Sequence, residues 1–383
     1  MTKPNLLIVV DERKMGGVSI LLEDMIELGV FDEYETDVVV LHNNGQMFEK
    51  IKNKVNIIYG TSYFNTVDLP IKEALRSKQI SRIFSKARLV FEMKTGLIGR
   101  RIKKERAKIL SKKYDFEIAF KDGFTALFTA FGDSDKKIHW LHYEYGLNNP
   151  NRRYSKLFNN IIPKFDKFIA VSNGVKASFE SEYNVSNIDV IPNIINKEKI
   201  IKMAYEPSAF NLDKSKLNIV CVGRIHPVKG YERLLEVVSK LKDYKSNFKI
   251  TVIGDGENID YLKKEALDLP IEFVGGMNNP YKEIKNFDLL LLPSLYEAFG
   301  LVTLEAFILG VPVISTLTAA TKDIIEDGVN GLIVENSSAG LYNGLKEIID
   351  DQSLILKYKN NLKSYNYDIM GEIQKIKDTL REI

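Results

Sequence analysis

Leu289-Leu290-Leu291-Leu292-Pro293-Ser294-Leu295-Tyr296-Glu297-Ala298-Phe299-Gly300-Leu301-Val302-Thr303-Leu304-Glu305-Ala306 opens as a short apolar strand, breaks at Pro293 and resumes as a helix after Gly300. Four consecutive leucines leave no polar face for water. They read as a strand covered on both sides, the habit of parallel sheets flanked by helices. Gly300 frees the backbone where the helix begins. The N–H groups of Leu301, Val302 and Thr303 then point the positive end of the helix dipole above the strand tip, which makes an anion site. Glu297 falls in the loop and Glu305 about two turns into the helix.

Outward from this stretch, short β-branched runs alternate with helical patterns along nearly the whole chain. Strands are expected at Leu6–Val10, Asp37–Leu41, Val55–Tyr59, Phe116–Phe120, Ile138–Leu141 and Phe168–Val171. After Pro192-Asn193 the series restarts, with strands at Leu217–Val222, Phe248–Ile253, Ile271–Val274, Leu289–Leu292 and Val311–Ser315. Two doubly wound α/β halves accommodate this better than one large sheet. Tyr231, Leu234, Leu235, Val238 and Leu241 recur at helical spacing and give a helix with one apolar face. The junction falls near Ile194–Lys202, and Tyr365 to Ile383 reads as a charged amphipathic helix.

The chain has 383 residues, of which 45% are hydrophobic, enough for two or three cored domains and too many for a disordered chain. Its single cysteine, Cys221, excludes an internal disulfide and suits a reducing compartment, so a cytoplasmic location is expected. The apolar run Leu6 to Val10 ends at Asp11-Glu12-Arg13-Lys14, which is no secretory signal, and no long apolar span occurs. The net charge of +3 is unevenly placed. Between Lys72 and Lys113 stand fifteen Lys and Arg against Glu73, Glu92 and Glu105, a local excess of +12 that leaves −9 elsewhere.

A second motif, Val222-Gly223-Arg224-Ile225-His226-Pro227-Val228-Lys229-Gly230, follows a strand and precedes a helix. Arg224 and Lys229 bracket a loop at the carboxyl end of a strand, where open α/β sheets bind ligands, and two fixed cations there suit a diphosphate. Glu297 and Glu305 are set apart by about the length of a nucleoside diphosphate. One is placed to grip sugar hydroxyls and the other a ribose diol. Two Glu eight apart arise often by chance, and only their context makes them a site.

Gly254-Asp255-Gly256-Glu257 is no dinucleotide fingerprint, because Ile259 stands where its third glycine belongs, and this disfavours a dehydrogenase. Gly275-Gly276-Met277 ends another strand with backbone able to approach a flat ring, and is assigned to the nucleobase. In the first half, Gly16 and Gly17 precede a helix carrying Val18, Leu21, Leu22 and Met25 and let a phosphate or sugar approach its N-terminus, a plain turn being the competing reading. His139 and His142 flank Trp140-Leu141 at a strand end. Alternation buries one and leaves His142 as the candidate contact with a reacting sugar. Asp133-Ser134-Asp135 precedes its strand and reads as a solvated turn, not a metal site.

Taken in order, these residues resemble the family-4 retaining glycosyltransferases of the GT-B fold. Gly16-Gly17 is similar to the family's first glycine loop. Asp166–Asn173 and Val190–Asn193 are similar to its domain-end segments, Gly223–Gly230 to its G-R-x-x-x-x-K-G loop, and Glu297–Glu305 to its Glu-x7-Glu signature. The resemblance implies two Rossmann-like doubly wound domains facing a central cleft. They comprise an acceptor-binding domain at 1–196, a nucleotide-sugar-binding domain at 197–364 and a helix at 365–383 returning to the first.

Carried over residue by residue, Arg224 and Lys229 bind the donor diphosphate, Glu297 the donor-sugar hydroxyls and Glu305 the ribose. Gly223, Gly276, Met277, Phe299, Gly300, Leu301, Val302 and Thr303 complete the donor site with Gly16 and Gly17, and His142 matches the cleft histidine. The implied reaction retains anomeric configuration, needs no metal or other cofactor and uses a UDP-sugar. The overall pattern is most similar to bacterial transferases that build surface polysaccharides. A GT-B nucleotide-sugar epimerase and a non-catalytic nucleotide-sugar-binding subunit are the alternatives.

In the basic zone, Ile80, Ile83, Phe84, Ala87 and Phe91 fall at helical spacing among Lys78, Arg82, Lys86 and Arg88. Such a helix is expected to rest on an anionic leaflet, with the acceptor a lipid-linked carrier, glycolipid or growing glycan. The competing reading packs it on the first sheet with a solvated basic face. No nucleic-acid module accompanies the charge, so nucleic acid is not expected as a partner.

Overall fold

The computed structural model describes residues 3–11, 16–42, 48–66, 80–146, 154–244 and 247–383, without the Arg82 side chain. The chain forms two compact units, Met1–Ile194 with Met370–Ile383, and Ile195–Ile369.

In the first unit seven parallel strands lie in the order β3-β2-β1-β4-β5-β6-β7. They are β1 (Asn5–Val10), β2 (Glu35–Val40), β3 (Asn56–Tyr59), β4 (Phe116–Ala119), β5 (Lys136–Leu141), β6 (Lys167–Ala170) and β7 (Ile188–Val190). In the second unit six lie in the order β10-β9-β8-β11-β12-β13. These are β8 (Leu217–Val222), β9 (Phe248–Ile253), β10 (Ile271–Gly275), β11 (Leu289–Leu292), β12 (Val313–Thr316) and β13 (Gly331–Val334). Each sheet is doubly wound. Chain order reverses between β1 and β4 in one and between β8 and β11 in the other, and such switch points open a crevice at the strands' carboxyl ends.

The side-chain alternation of β11 shows why a run of leucine is tolerated. Leu289 and Leu291 enter one apolar cluster with Leu217, Ile219 and Cys221, whereas Leu290 and Leu292 enter another, with Val220 and Phe307, on the opposite face. Burial of each such side chain is worth about 1.5–3 kcal/mol. The helix Tyr231–Lys240 covers the first of these faces through Tyr231, Leu234, Leu235, Val237 and Val238.

Two short strands escaped the sequence reading. β7 has three residues and β13 begins at Gly331, so neither shows a β-branched run. β12 starts at Val313 and not at Val311. The Val311 amide closes the preceding helix by donating to Ala306 O, and Pro312 has no amide to give to a ladder. The units part at 194/195 and 369/370, against 196/197 and 364/365 from the sequence.

The terminal helix Ile369–Arg381 buries Ile373, Ile376 and Leu380, and Arg381 Nε donates to Glu33 Oε2 at 2.9 Å within the first unit. In that unit the basic segment is also fastened inward. Arg106 pairs with the fully buried Glu117 of β4 at 2.6 Å and lies over the Phe128 ring. Glu105 is buried between Arg101 and Lys108.

Candidate functional site

At the switch point of the second sheet the loops after β8 and β11 meet. Gly223 N donates to Ile253 O and Ile225 N to Asp255 O, which hold the start of the β8 loop against the end of β9. Pro227–Lys229 forms a single 3-10 turn, and Gly230 follows at φ +70°. A Cβ on Gly230 would stand 2.1 Å from Pro293 O, so only glycine lets the two loops approach this closely. Leu295 N donates to Val228 O at 2.8 Å, completing the join.

Across this join Lys229 Nζ donates to Glu297 Oε1 at 2.5 Å, and Ser294 Oγ donates to the same oxygen at 2.9 Å. The two side chains are largely buried, so the pair is only partly screened by water. Sequence reasoning set Arg224 and Lys229 as two fixed cations bracketing the loop; the structure gives Lys229 a carboxylate partner. Arg224 alone is exposed with no acidic partner among the described residues.

Gly300 is left-handed, at φ +81°, and caps the helix Leu301–Ile308. Of the three amides expected to be free, Thr303 N donates to Gly300 O at 2.9 Å. Those of Leu301 and Val302 have no acceptor among the described residues. Phe299 and Thr303 have buried side chains, so any part they take in binding is through backbone. Glu305 accepts from Tyr281 Oη at 3.1 Å. Gly276 and Met277 follow β10, two strands away from β8, with Gly275 at φ +91° and Met277 packed against the core.

Several participants lay outside the sequence reading. Arg233 Nη2 donates to Pro293 O at 2.6 Å and its Nη1 to Asn336 Oδ1 at 2.7 Å. Asn336 in turn donates to Leu295 O and Leu317 O, and Thr316 Oγ1 to Ser294 O. These residues come from β12 and the segment after β13, and no local spacing ties them to Glu297. The one sequence cue is the place of Arg233 three residues beyond Gly230.

The first unit holds the other candidates. Gly16 caps the helix Gly17–Glu27 in an extended conformation, φ −130°, so nothing in its backbone demands glycine. Arg13, Lys14 and Met15, on the same loop, lie outside the described residues. His139 is fully buried, stacked on Phe165, with Nε2 3.4 Å from Asp122 Oδ1. His142 is partly buried against Trp140 and Phe120, its Nε2 enclosed without a partner among the described residues. Burial pushes its imidazole down to about 3, so it is neutral at physiological pH. Tyr145 donates to Asp122 Oδ1 and is held protonated by burial and by that carboxylate. Asp133 and Asp135 are exposed turn residues, Asp135 paired with Lys113 at 2.6 Å. Cys221 is buried and its thiol is pushed upward.

Residues 205–368 match the family Glycosyl transferases group 1. A protein of the cps region of Klebsiella pneumoniae is 33% identical over 188 residues, 47% of this chain and 49% of that protein. The N-acetylgalactosamine-N,N'-diacetylbacillosaminyl-diphospho-undecaprenol 4-alpha-N-acetylgalactosaminyltransferase of Campylobacter jejuni is 27% identical over 229 residues, 57% of this chain and 61% of that one. The chain thus spans about half to three fifths of the length of these curated relatives. HepE of Anabaena, solved with UDP and glucose, superposes with a TM-score of 0.71 at 17% identity over 99% of this chain and 100% of that one. Sucrose-phosphate synthase of Thermosynechococcus elongatus gives 0.71 at 16% over 99% and 98%. Residues 205–368 thus resemble a group 1 glycosyl transferase domain, and the two parallel-sheet α/β units share the GT-B fold of these solved structures.

Proposed function

We propose that the protein is a retaining, metal-independent glycosyltransferase. It moves a sugar from a UDP-sugar to a hydroxyl of a lipid-linked or polysaccharide acceptor in surface-glycan synthesis. The observation that carries this reading is the Lys229–Glu297 pair beside the exposed Arg224 and the capped helix at Gly300, all at one switch point. The names of the Campylobacter transferase and of the UDP-bound HepE support the class of acceptor and of donor.

Breaking an anomeric bond leaves growing negative charge on the departing phosphate. Fixed cations and a helix N-terminus lower the barrier because they meet charge that appears fully only in the transition state. Arg224 and Lys229 supply the cations, and the Leu301 and Val302 amides the dipole. An arriving diphosphate draws Lys229 from its partner and releases Glu297 to accept from sugar hydroxyls, while Glu305 holds the ribose. The departing phosphate oxygen takes the proton of the incoming hydroxyl on the same sugar face, which retains configuration. The first unit is assigned acceptor binding, with His142 as its contribution to the reaction. The lone buried thiol supports a cytoplasmic setting, and an anionic membrane surface is the partner proposed for the basic zone.

A panel of nucleotide sugars, assayed for slow donor hydrolysis and for transfer with the product anomer read by NMR, tests this. UDP-sugars are expected to turn over with or without EDTA. Lys229→Ala and Glu297→Ala should each lower the rate about 100-fold or more in protein that still folds and melts cooperatively, at a somewhat lower temperature because each leaves its partner's charge unpaired. Near-normal rates in both variants would overturn the site, and EDTA inhibition reversed by a divalent cation would overturn metal independence.

A further inference from the structure

The helix Ile80–Thr95 has two apolar faces. Leu89 and Met93 are 4% and 5% exposed and pack into the first unit, whereas Ile80, Phe84 and Phe91 are 71%, 73% and 58% exposed. At 100° per residue the last three fall, with exposed Ala87, on one narrow arc opposite the packed face. The two expectations from the sequence, an outward apolar side and an inward packed one, fall on opposite faces of the same helix. Large aromatics clustered outward on one helix mark an interaction surface.

Charge selects the partner. The described acids of the segment face inward, Glu92 accepting from Arg88 and Tyr63, and Glu105 from Lys108 and Thr61. Lys94, just beyond Phe91, and Arg100, Lys103 and Lys104 on the adjoining helix Ile98–Ile109 are exposed with no acidic partner among the described residues. Exposed aromatics on one helix and exposed cations on it and the next complement the boundary between acyl chains and anionic headgroups.

We infer that Ile80, Phe84 and Phe91 form a wedge that enters the headgroup layer of an anionic bilayer while Lys94, Arg100, Lys103 and Lys104 meet lipid phosphates. The wedge deepens the proposal of a membrane-linked acceptor but rests on this helix, not on the transferase assignment. It holds the first unit at the membrane surface; among the described residues no helix is long and apolar enough to cross a membrane.

Flotation of the full chain with phosphatidylcholine vesicles, with and without phosphatidylglycerol, is the test. The protein should float with the anionic vesicles at low salt, less at high salt, and not with pure phosphatidylcholine. Lys103→Ala/Lys104→Ala should weaken partitioning about fivefold per cation. Phe84→Ser/Phe91→Ser should weaken it about tenfold or more. Neither change should alter hydrolysis of a soluble donor. Failure of the wild type to float at low salt, or flotation of Phe84→Ser/Phe91→Ser equal to wild type, overturns the wedge. A protein that floats but hydrolyses no donor keeps the wedge and sinks only the transferase reading.

Discussion

Lys229 and Glu297 neutralise one another across the join of the β8 and β11 loops, which keeps a largely buried ammonium and carboxylate compatible with folding. A lone charge there would carry a desolvation penalty. His142 solves the same problem by losing its proton. Folded, it binds a proton only below about pH 3, whereas the unfolded imidazole binds one below about 6.5. Between those values the unfolded state holds a proton that the native state lacks. Stability is therefore expected to fall as pH falls through this window, by up to about 1.4 kcal/mol per unit. Urea denaturation at several pH values should show a shallower dependence in His142→Gln than in wild type. Identical slopes would mean the buried imidazole is not the source. The spacing of Glu297 and Glu305, and of Arg224 and Lys229, was open to reading because motif and chain order coincide. The pairing of Lys229 with Glu297 was hidden, since it joins residues 68 apart.

At the scale of elements, the turn at Gly230 decides whether the β8 and β11 loops meet. Gly230→Ala faces both a left-handed backbone, about 1–2 kcal/mol for an L-residue, and collision with Pro293 O. Gly328→Ala faces only the first, because at φ +73° nothing lies within 4 Å of its Cβ position. Thermal melts should therefore rank Gly230→Ala well below Gly328→Ala, with UDP affinity lost only in the former; equal melting temperatures would deny the close approach. Strands with long apolar runs, β8, β9 and β11, stand where periodicity placed them. β7 and β13 gave no such signal, because edge strands of three and four residues are defined by the neighbour they pair with.

For the whole molecule, the chain leaves its first unit at Ile194 and returns to it at Met370, so the terminal helix stabilises a domain remote in sequence. Burial and not charge is expected to hold it there. Ile376→Ala should cost the first unit about 2–5 kcal/mol. Arg381→Ala, which breaks the exposed pair with Glu33, should cost no more than about 1 kcal/mol. Chemical denaturation of both variants checks this, and a larger loss from Arg381→Ala would reverse the order. The basic zone is likewise a property of the whole: its net charge follows from composition, but which cations face outward depends on Glu92, Glu105 and Glu117 being drawn inside.

The sequence by itself determined that the chain builds two parallel α/β halves and where their site loops lie. Those features rest on local periodicity and on glycine and proline placed next to strands. Tertiary structure alone decided that Lys229 is paired while Arg224 has no acidic partner among the described residues, that Arg233 and Asn336 brace the β11 loop, and that the helix Ile80–Thr95 shows its aromatics to water. Each depends on which distant segments pack together, and the net of desolvation, pairing and burial is set only when they do.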